Sequence, residues 1–391
     1  MLPRYNDRTF CWNAVCSWRP ALHPENTLVR RIFLAAFVIC ISPAVVLAQA
    51  GVEPKEVQDL VGRATDFLKT RQKADGSFEP ARGGPGTTAL VAAGLIRHGN
   101  AEDPVVQKAL ANLEKNVQAD GGVYNKFLAN YTTSIALLTF KEANKGGKYD
   151  AVIGNASKFL KSLQKGGPDE EMAFGGFGYD AKSRPDVSNA HFTVEALLAA
   201  GVPKDDPAIK NALVFLGRCQ NLSGEANKFE FAKKAAEGDK GGFVYNPFDA
   251  TNLKSDKRTA DGGLRSEGGM TYAGLKSFLY AGVGKDDPRV KAAVGWVRKH
   301  YTLEENPGMG DAGLFYYYHT FAKAMDALGE EDFEDADGKK HPWRKELFEA
   351  LKKRQDKDGS WTNKNGAFLE NSPELATSFA VLALSYCKAK K

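Results

Sequence analysis

The residues best able to do chemistry cluster in Gly310-Asp311-Ala-Gly-Leu-Phe-Tyr-Tyr-Tyr-His319. Consecutive residues of a helix point to different sides, so at least one of Tyr316, Tyr317 and Tyr318 must face the interior, with His319 one turn beyond Phe315. Aromatic faces attract cations, and imidazole beside carboxyl groups suits proton transfer or metal binding. Asp311, His319, Glu267 and His191 are therefore the acid–base candidates. Tyr131, Tyr272, Tyr316, Tyr317, Tyr318 and Asn189 are candidate ligand contacts. Each has a plainer use as well. Asn and Asp before a helix are ordinary caps, and a buried His or Tyr commonly satisfies a neighbour's backbone. Two of the three tyrosines are expected to pack between layers. No paired Ser/His/Asp spacing and no phosphate-binding glycine loop occurs.

The elements that must position these groups repeat along the chain. Gly201-Val-Pro-Lys-Asp-Asp-Pro207 returns as Gly282-Val-Gly-Lys-Asp-Asp-Pro288, and Glu102-Asp103-Pro104 is a third copy of its end. The Asp can accept from free backbone N–H groups while Pro takes the first helical position, where a missing donor costs nothing. Amphipathic segments follow each start. In the first unit Val57, Leu60, Val61, Ala64, Phe67 and Leu68 keep the spacing of a helix buried on one side. A second kind of segment is apolar all round: Thr88–Ala93, Thr133–Leu138, Phe192–Ala200, Thr271–Ala281, Tyr316–Leu328 and Thr377–Leu384. Such helices are buried on every side. Gly201, Gly282 and Gly329 are placed to terminate three of them.

Between the two kinds lies a recurring clasp. Gln355, an Asp-Gly turn at Gly359 and Trp361 form its fullest copy, and Gln72, Gln118, Gln164 and Gln220 begin the others. Tyr301 replaces the glutamine in the fifth unit. The glutamine can close the last turn of its helix, the Asp-Gly reverses the chain, and the aromatic packs back. This is a structural motif rather than a reaction centre. Six units of an outer and an inner helix leave unburied faces at both ends unless the ring closes. The expected fold is all-α: an α/α toroid (α6/α6 barrel) of about six helical hairpins with parallel inner helices. The inner-helix N-termini then share one face, whose partial charges favour anionic groups. The long connection 221–265, with Phe229, Phe231 and Phe248, overhangs it as a candidate lid.

Residues 55–387 resemble the prenyltransferase and squalene-cyclase repeat superfamily. Gln355-x3-Gly359-x-Trp361 matches the glutamine–tryptophan motif of terpene cyclases. Gly241-Gly-Phe-Val-Tyr245 and Gly268-Gly-Met-Thr-Tyr-Ala273 resemble elements of prenyltransferase β subunits. The resemblance implies the toroid and a central ligand cavity. The catalytic motifs depart from it: the Asp-x-Asp-Asp acid is absent, and Asp335-Ala-Asp337 falls on the opposite face. Of the zinc ligands only Asp311 and His319 match in part, with no cysteine beside them, so no cofactor is expected and zinc is the one candidate. Three functions follow: a ligand-binding toroid without the usual chemistry, a divergent isoprenoid cyclase or transferase, and a polysaccharide lyase or hydrolase using Arg265 or Arg184. The corresponding partners are an isoprenoid-like or glycan small ligand, or another protein.

Residues 1–50 read as a leader: Arg30-Arg31 precede an apolar run, Ile32 to Leu47, that ends in Ala48-Gln49-Ala50. Export to the periplasm or beyond is expected, with membrane contact only through an uncleaved leader. Residues 51–391 are then one toroid domain. Without the leader the chain carries 48 Lys and Arg against 46 Asp and Glu, a net +2 rather than +5, which removes the argument for nucleic acid. Only Cys219 and Cys387 remain, too few for a disulfide scaffold.

Overall fold

A computed structural model describes residues 51–78 and 84–388. Residues 1–50, expected to form a leader, lie outside the described residues. Among the described residues no helix is long and apolar enough to cross a membrane.

Six outer helices alternate with six inner ones. The outer set is α1 (Pro54–Arg71), α3 (Pro104–Lys115), α5 (Asp150–Ser162), α7 (Pro207–Arg218), α10 (Pro288–Lys299) and α12 (Trp343–Arg354). The inner set is α2 (Gly86–Arg97), α4 (Ala129–Ala143), α6 (Val187–Ala199), α9 (Gly268–Tyr280), α11 (Leu314–Leu328) and α13 (Pro373–Leu384). The start signals act as their chemistry demands: the carboxylates of Asp103, Asp206 and Asp287 each accept from the N–H two residues on, at 2.9 Å, with Pro at the first helical position. Gly201, Gly282 and Gly329 follow inner helices with φ of +90°, +85° and +73°.

Each inner helix packs against its neighbours in chain order, and α13 packs against α2, so the ring closes. A parallel bridge between Val52 and Lys388 ties the two ends of the described chain together beside that seam. Inner-helix residues are buried nearly all round, while outer helices bury one stripe, as Val57, Leu60, Val61, Ala64 and Leu68 show in α1.

Four copies of the clasp share one geometry. The side-chain amide of Gln72 donates to Gly76 O in its own turn and to Val105 O of the next outer helix, at 3.1 and 2.8 Å. Gln164 bonds Gly175 O and Ala208 O, Gln220 bonds Gly241 O and Arg289 O, and Gln355 bonds Gly359 O and Leu60 O, the last across the ring closure. The turn glycine then presses against the carbonyl three residues further along the same helix. A Cβ on Gly175, at φ +77°, would stand 2.0 Å from Asn211 O, and one on Gly359 would stand 2.4 Å from Arg63 O. Only glycine fits there. Trp361 is fully buried, its indole donating to Leu351 O at 2.8 Å and its backbone N–H to Thr377 Oγ1 at 3.0 Å.

Three details differ from expectation. Gln118 bonds Asn116 O and Tyr124 O inside its own turn, and Val123, not an aromatic, fills the buried position there. The loop carrying Asp335 and Asp337 is flanked by a small hairpin, β1 (Asp332–Glu334) antiparallel to β2 (Lys340–Pro342), because His341 bridges Asp335 and Glu346 at 3.0 Å on each side. The long connection is not a free lid: it folds a short helix, α8 (Glu230–Lys233), and a 3-10 turn, Pro247–Thr251, and buries Phe231.

Candidate functional site

A cavity of about 310 Å³ opens where the inner helices begin. Every inner helix contributes a residue from its first turn: Thr87, Tyr131, Ser188, Met270, Tyr316 and Leu375. Phe379 of α13 and the connections supply the rest of the wall, with Tyr179 and Tyr245 joined through their hydroxyls at 3.0 Å. Tyr245 belongs to the long connection, which thus serves as a wall. At the rim stand Leu128, Phe368 and Leu369, with φ of 56°, 57° and 64°. Among the described residues they are the only non-glycine positions in the left-handed region, and all three line this cavity. Such backbone costs about 1–3 kcal/mol per residue and concentrates at ligand sites. Phe368 remains 53 % exposed, which gives the entrance an apolar lip.

Two carboxyl groups are buried in this wall. Glu267 precedes α9, and its carboxylate lies 3.1 Å from Lys257 Nζ. Burial outweighs the ammonium and pushes its pKa above the ordinary carboxylate range. Glu370 is wholly buried and accepts from the backbone N–H of Tyr316 at 2.8 Å, from that of Phe315 at 3.3 Å and from Asn363 Nδ2 at 2.8 Å. Burial raises its pKa as well, against those hydrogen bonds. The partial positive charge expected to attract an external anion at the start of α11 is therefore already answered by the chain's own Glu370.

Below the cavity, side chains from α6, α9 and α11 meet in the hollow of the ring. α6 and α11 are separated by α9, so groups that bridge them cross that hollow. His191 Nε2 lies 2.6 Å from the Tyr316 hydroxyl, and Lys276 Nζ lies 3.0 Å from His191 Nδ1. Glu195 takes Lys276 Nζ on one oxygen and Lys323 Nζ on the other, each at 2.6 Å. Burial opposes ionisation of Glu195, but its two lysines prevail and hold its pKa well below the carboxylate range. Burial lowers Lys276 to about 8 despite Glu195, and keeps His191 and His319 neutral, their pKa values well below normal.

The structure divides the sequence candidates. Tyr131, Tyr316 and Glu267 line the cavity. His191 and His319 lie a layer deeper. His319 is 1 % exposed between Phe192 and Phe379, with no hydrogen bond to either ring nitrogen. Tyr317 and Tyr318 turn away, donating to Thr302 O and Leu303 O, and Tyr272 packs against Tyr317 and Phe321. Asn189 is engaged in capping, donating to Asp186 from backbone and side chain at 2.8 Å, and burial raises that Asp186 to about 7. Asp311 does not line the cavity: it is exposed between two glycines in the left-handed region, Gly310 at φ +59° and Gly313 at φ +67°, and accepts from Asn365. Asp311 and His319 are thus not brought together as zinc ligands, and no group of three His, Cys, Asp or Glu able to hold a metal occurs among the described residues. Cys219 and Cys387 are free and buried.

Sequence reasoning missed Glu195, Lys276, Lys323 and Glu370. The first three carried a signal: each is a charge inside a helix otherwise apolar all round, which is affordable only with a partner. Glu370 carried none, because it sits in an irregular connection.

No protein family and no curated protein matches this sequence. Solved structures do. An α-amylase from Clostridium perfringens is similar over 86% of this chain and 99% of its own, at 13% identity and TM-score 0.52. A D-mannose isomerase is similar over 86% and 96%, at 11% identity and TM-score 0.53. The type II terpene cyclase MstE from Scytonema aligns over 85% and 98% at 14% identity, with a TM-score of 0.33, too low to carry weight. At these identities the likeness shows the fold, an α/α toroid of the kind used by enzymes, and nothing of its substrate.

Proposed function

We propose that the cavity binds a small hydrophobic ligand of the isoprenoid class and that Glu267 acts on it as a proton donor. The observation that carries this reading is a single conjunction: a carboxyl whose pKa is raised by burial, set in a wall of tyrosine, phenylalanine, leucine and methionine side chains. Burial favours the protonated form of Glu267 against the pull of Lys257, and a protonated carboxyl in apolar surroundings can protonate an alkene, with aromatic faces stabilising the cation that results. The volume, about 310 Å³, suits a compact ligand, at the lower end of the range of roughly 300–1,000 Å³ for small-molecule sites. Phe368 and Leu369 offer an apolar entrance. The leader reading of residues 1–50 makes this an exported protein, which N-terminal sequencing of the mature chain tests.

The deciding experiment measures thermal stability and extractable products with farnesol, geranylgeraniol and squalene, against uronate oligomers and zinc. Stabilisation by an isoprenoid, with any conversion lost in Glu267→Gln while binding persists, is the expected result. Stabilisation by uronate oligomers alone would replace this reading with a glycan one.

A further inference from the structure

The hollow of the ring lies between two openings. The cavity described above takes the first residues of the inner helices, whereas a second opening, of about 550 Å³, is lined by residues from their last turns: Arg97, Glu142, Leu198 and Tyr280. Glu195 reaches this second opening, and Tyr316 reaches the first. Between them every link is a hydrogen bond: Tyr316 hydroxyl to His191 Nε2, His191 Nδ1 to Lys276 Nζ, Lys276 Nζ to Glu195.

We propose that Tyr316, His191, Lys276 and Glu195 form a proton-transfer column connecting the cavity to the opposite mouth of the ring, with Tyr316 as the group that exchanges a proton with the ligand. The role toward a ligand rests on the reading of the cavity given above; the column itself does not.

The direction of every bond follows from the charge on Lys276. An ammonium has no lone pair, so it must donate to Nδ1 of His191. The imidazole then carries its proton on Nε2 and donates to the Tyr316 oxygen, and the phenol proton turns to Ser188 Oγ, 3.2 Å away. With Lys276 as an amine the pattern reverses. Nδ1–H donates to Nζ, Nε2 accepts from the Tyr316 hydroxyl, and the phenol oxygen turns its lone pairs to the cavity. The two states also differ in buried charge. Lys276, Lys323 and Glu195 sum to one uncompensated positive charge in the first and to none in the second, and burial favours the second. Glu195 supports the first, as its hydrogen bond to Lys276 is strongest when Nζ is charged.

A proton leaving a ligand can therefore travel without any other reactant. It moves to the Tyr316 oxygen as the phenol proton passes to His191 Nε2 and the Nδ1 proton passes to Lys276, which ends as an ammonium against Glu195. The reverse sequence delivers a proton to the ligand. The other charged or titratable groups facing Lys276 and His191 are Lys323 and His319 of α11, Tyr280 of α9, Arg97 of α2 with Glu142 of α4, and Tyr386 beyond α13. Arg97 is matched by Glu142 and by the Tyr386 hydroxyl; burial lowers Lys323 as well, but of the two lysines on Glu195 it is Lys276 that bonds His191, so its proton sets the imidazole tautomer.

Nitrogen-15 NMR of histidine-labelled full-length protein tests the column with the cavity empty. His191, assigned from a His191→Asn variant, should remain neutral from pH 6 to 10 and exchange Nε2–H for Nδ1–H with a midpoint near 8, where burial sets Lys276. Lys276→Met should abolish the exchange. A single unchanging tautomer in the wild type overturns the column, as does an exchange that survives Lys276→Met; if that variant fails to fold, the wild-type titration alone decides. A ligand hydroxyl that donates to Tyr316 favours the amine state, so farnesol titrated calorimetrically at pH 8, in buffers of unequal ionisation heat, should release protons from the wild type and none from Tyr316→Phe. Binding without proton release overturns the coupling to ligand. No farnesol binding with an intact tautomer exchange overturns the cavity reading and leaves the column standing.

Discussion

The perimeter of this ring and its hollow are built on opposite principles. Along the perimeter one device recurs: a glutamine amide bridging two carbonyls, a left-handed glycine pressed on the next helix, and a buried residue whose backbone N–H donates to an inner-helix threonine. Each copy touches only its neighbours, so its contribution adds to those of the others. Across the hollow nothing recurs. Charges from three inner helices satisfy one another through a single carboxylate, and none is tolerable alone. Repetition holds the scaffold, and singular residues hold whatever the scaffold is for.

Glu195→Ala is the severest test of this contrast. It strands the buried amino groups of Lys276 and Lys323, and breaking a buried pair by removing one partner costs about 3–5 kcal/mol. Urea denaturation should show a large loss, while replacing Glu195, Lys276 and Lys323 together by methionine recovers most of it. A small loss in the single variant would mean the hollow is wetter than its burial implies. Trp361→Ala, on the perimeter, should cost about 3–5 kcal/mol as a core truncation and leave ligand affinity per folded molecule unchanged. Altered affinity in a stable Trp361→Ala protein would break the separation between the two regions.

Acid should act on the inner ring before it acts on the perimeter. Burial lowers His98 to about 4 and places His191 and His319 well below their normal value. A histidine whose folded pKa is depressed contributes stability that is complete above its unfolded pKa, about 6.5, and is lost as pH falls below it. Each should remove about 1.4 kcal/mol per pH unit, for His98 between pH 6.5 and 4 and for the other two further down. Denaturation midpoints measured from pH 7.5 to 4.5 should fall, partly offset by Asp186, whose pKa of about 7 stabilises the fold as it takes up its proton, and less steeply in His98→Asn.

The smallest effect compares two glycines of similar φ. Gly175→Ala forces a Cβ onto Asn211 O, whereas Gly201→Ala, at φ +90°, meets nothing within 4 Å. The second should cost about 1–2 kcal/mol from backbone conformation alone, and the first clearly more. Equal losses would mean the close approach can relax, and with it the clasp.

The sequence made the perimeter legible because its signals are local and repeated: a capping Asp before Pro, a Gln before Asp-Gly, an apolar stripe. Ring closure followed because six such units leave no other way to bury their end faces. The hollow was harder to read. That one of Tyr316, Tyr317 and Tyr318 faces inward could be argued from helical spacing, but which one depends on the rotation of α11, fixed by Glu370 at its start. Asp311 looked like a site residue because it precedes an inner helix, but it lies exposed between two left-handed glycines, Gly310 and Gly313. Lys276, Lys323 and Glu195 were passed over although each is a charge in an otherwise apolar helix, and only the structure joins groups from helices that are not neighbours.

The closing seam has a consequence of its own. Gln355 grips α1 as the other glutamines grip their successors, and Val52 lies beside Lys388. Topologically the ring has no first hairpin, so a short peptide joining the strands at that bridge would let new ends be cut at any exposed turn of the circle. Circular permutants opened at the exposed tip near Leu253 should fold, and would show that the order in which the hairpins leave the ribosome is immaterial to the finished ring.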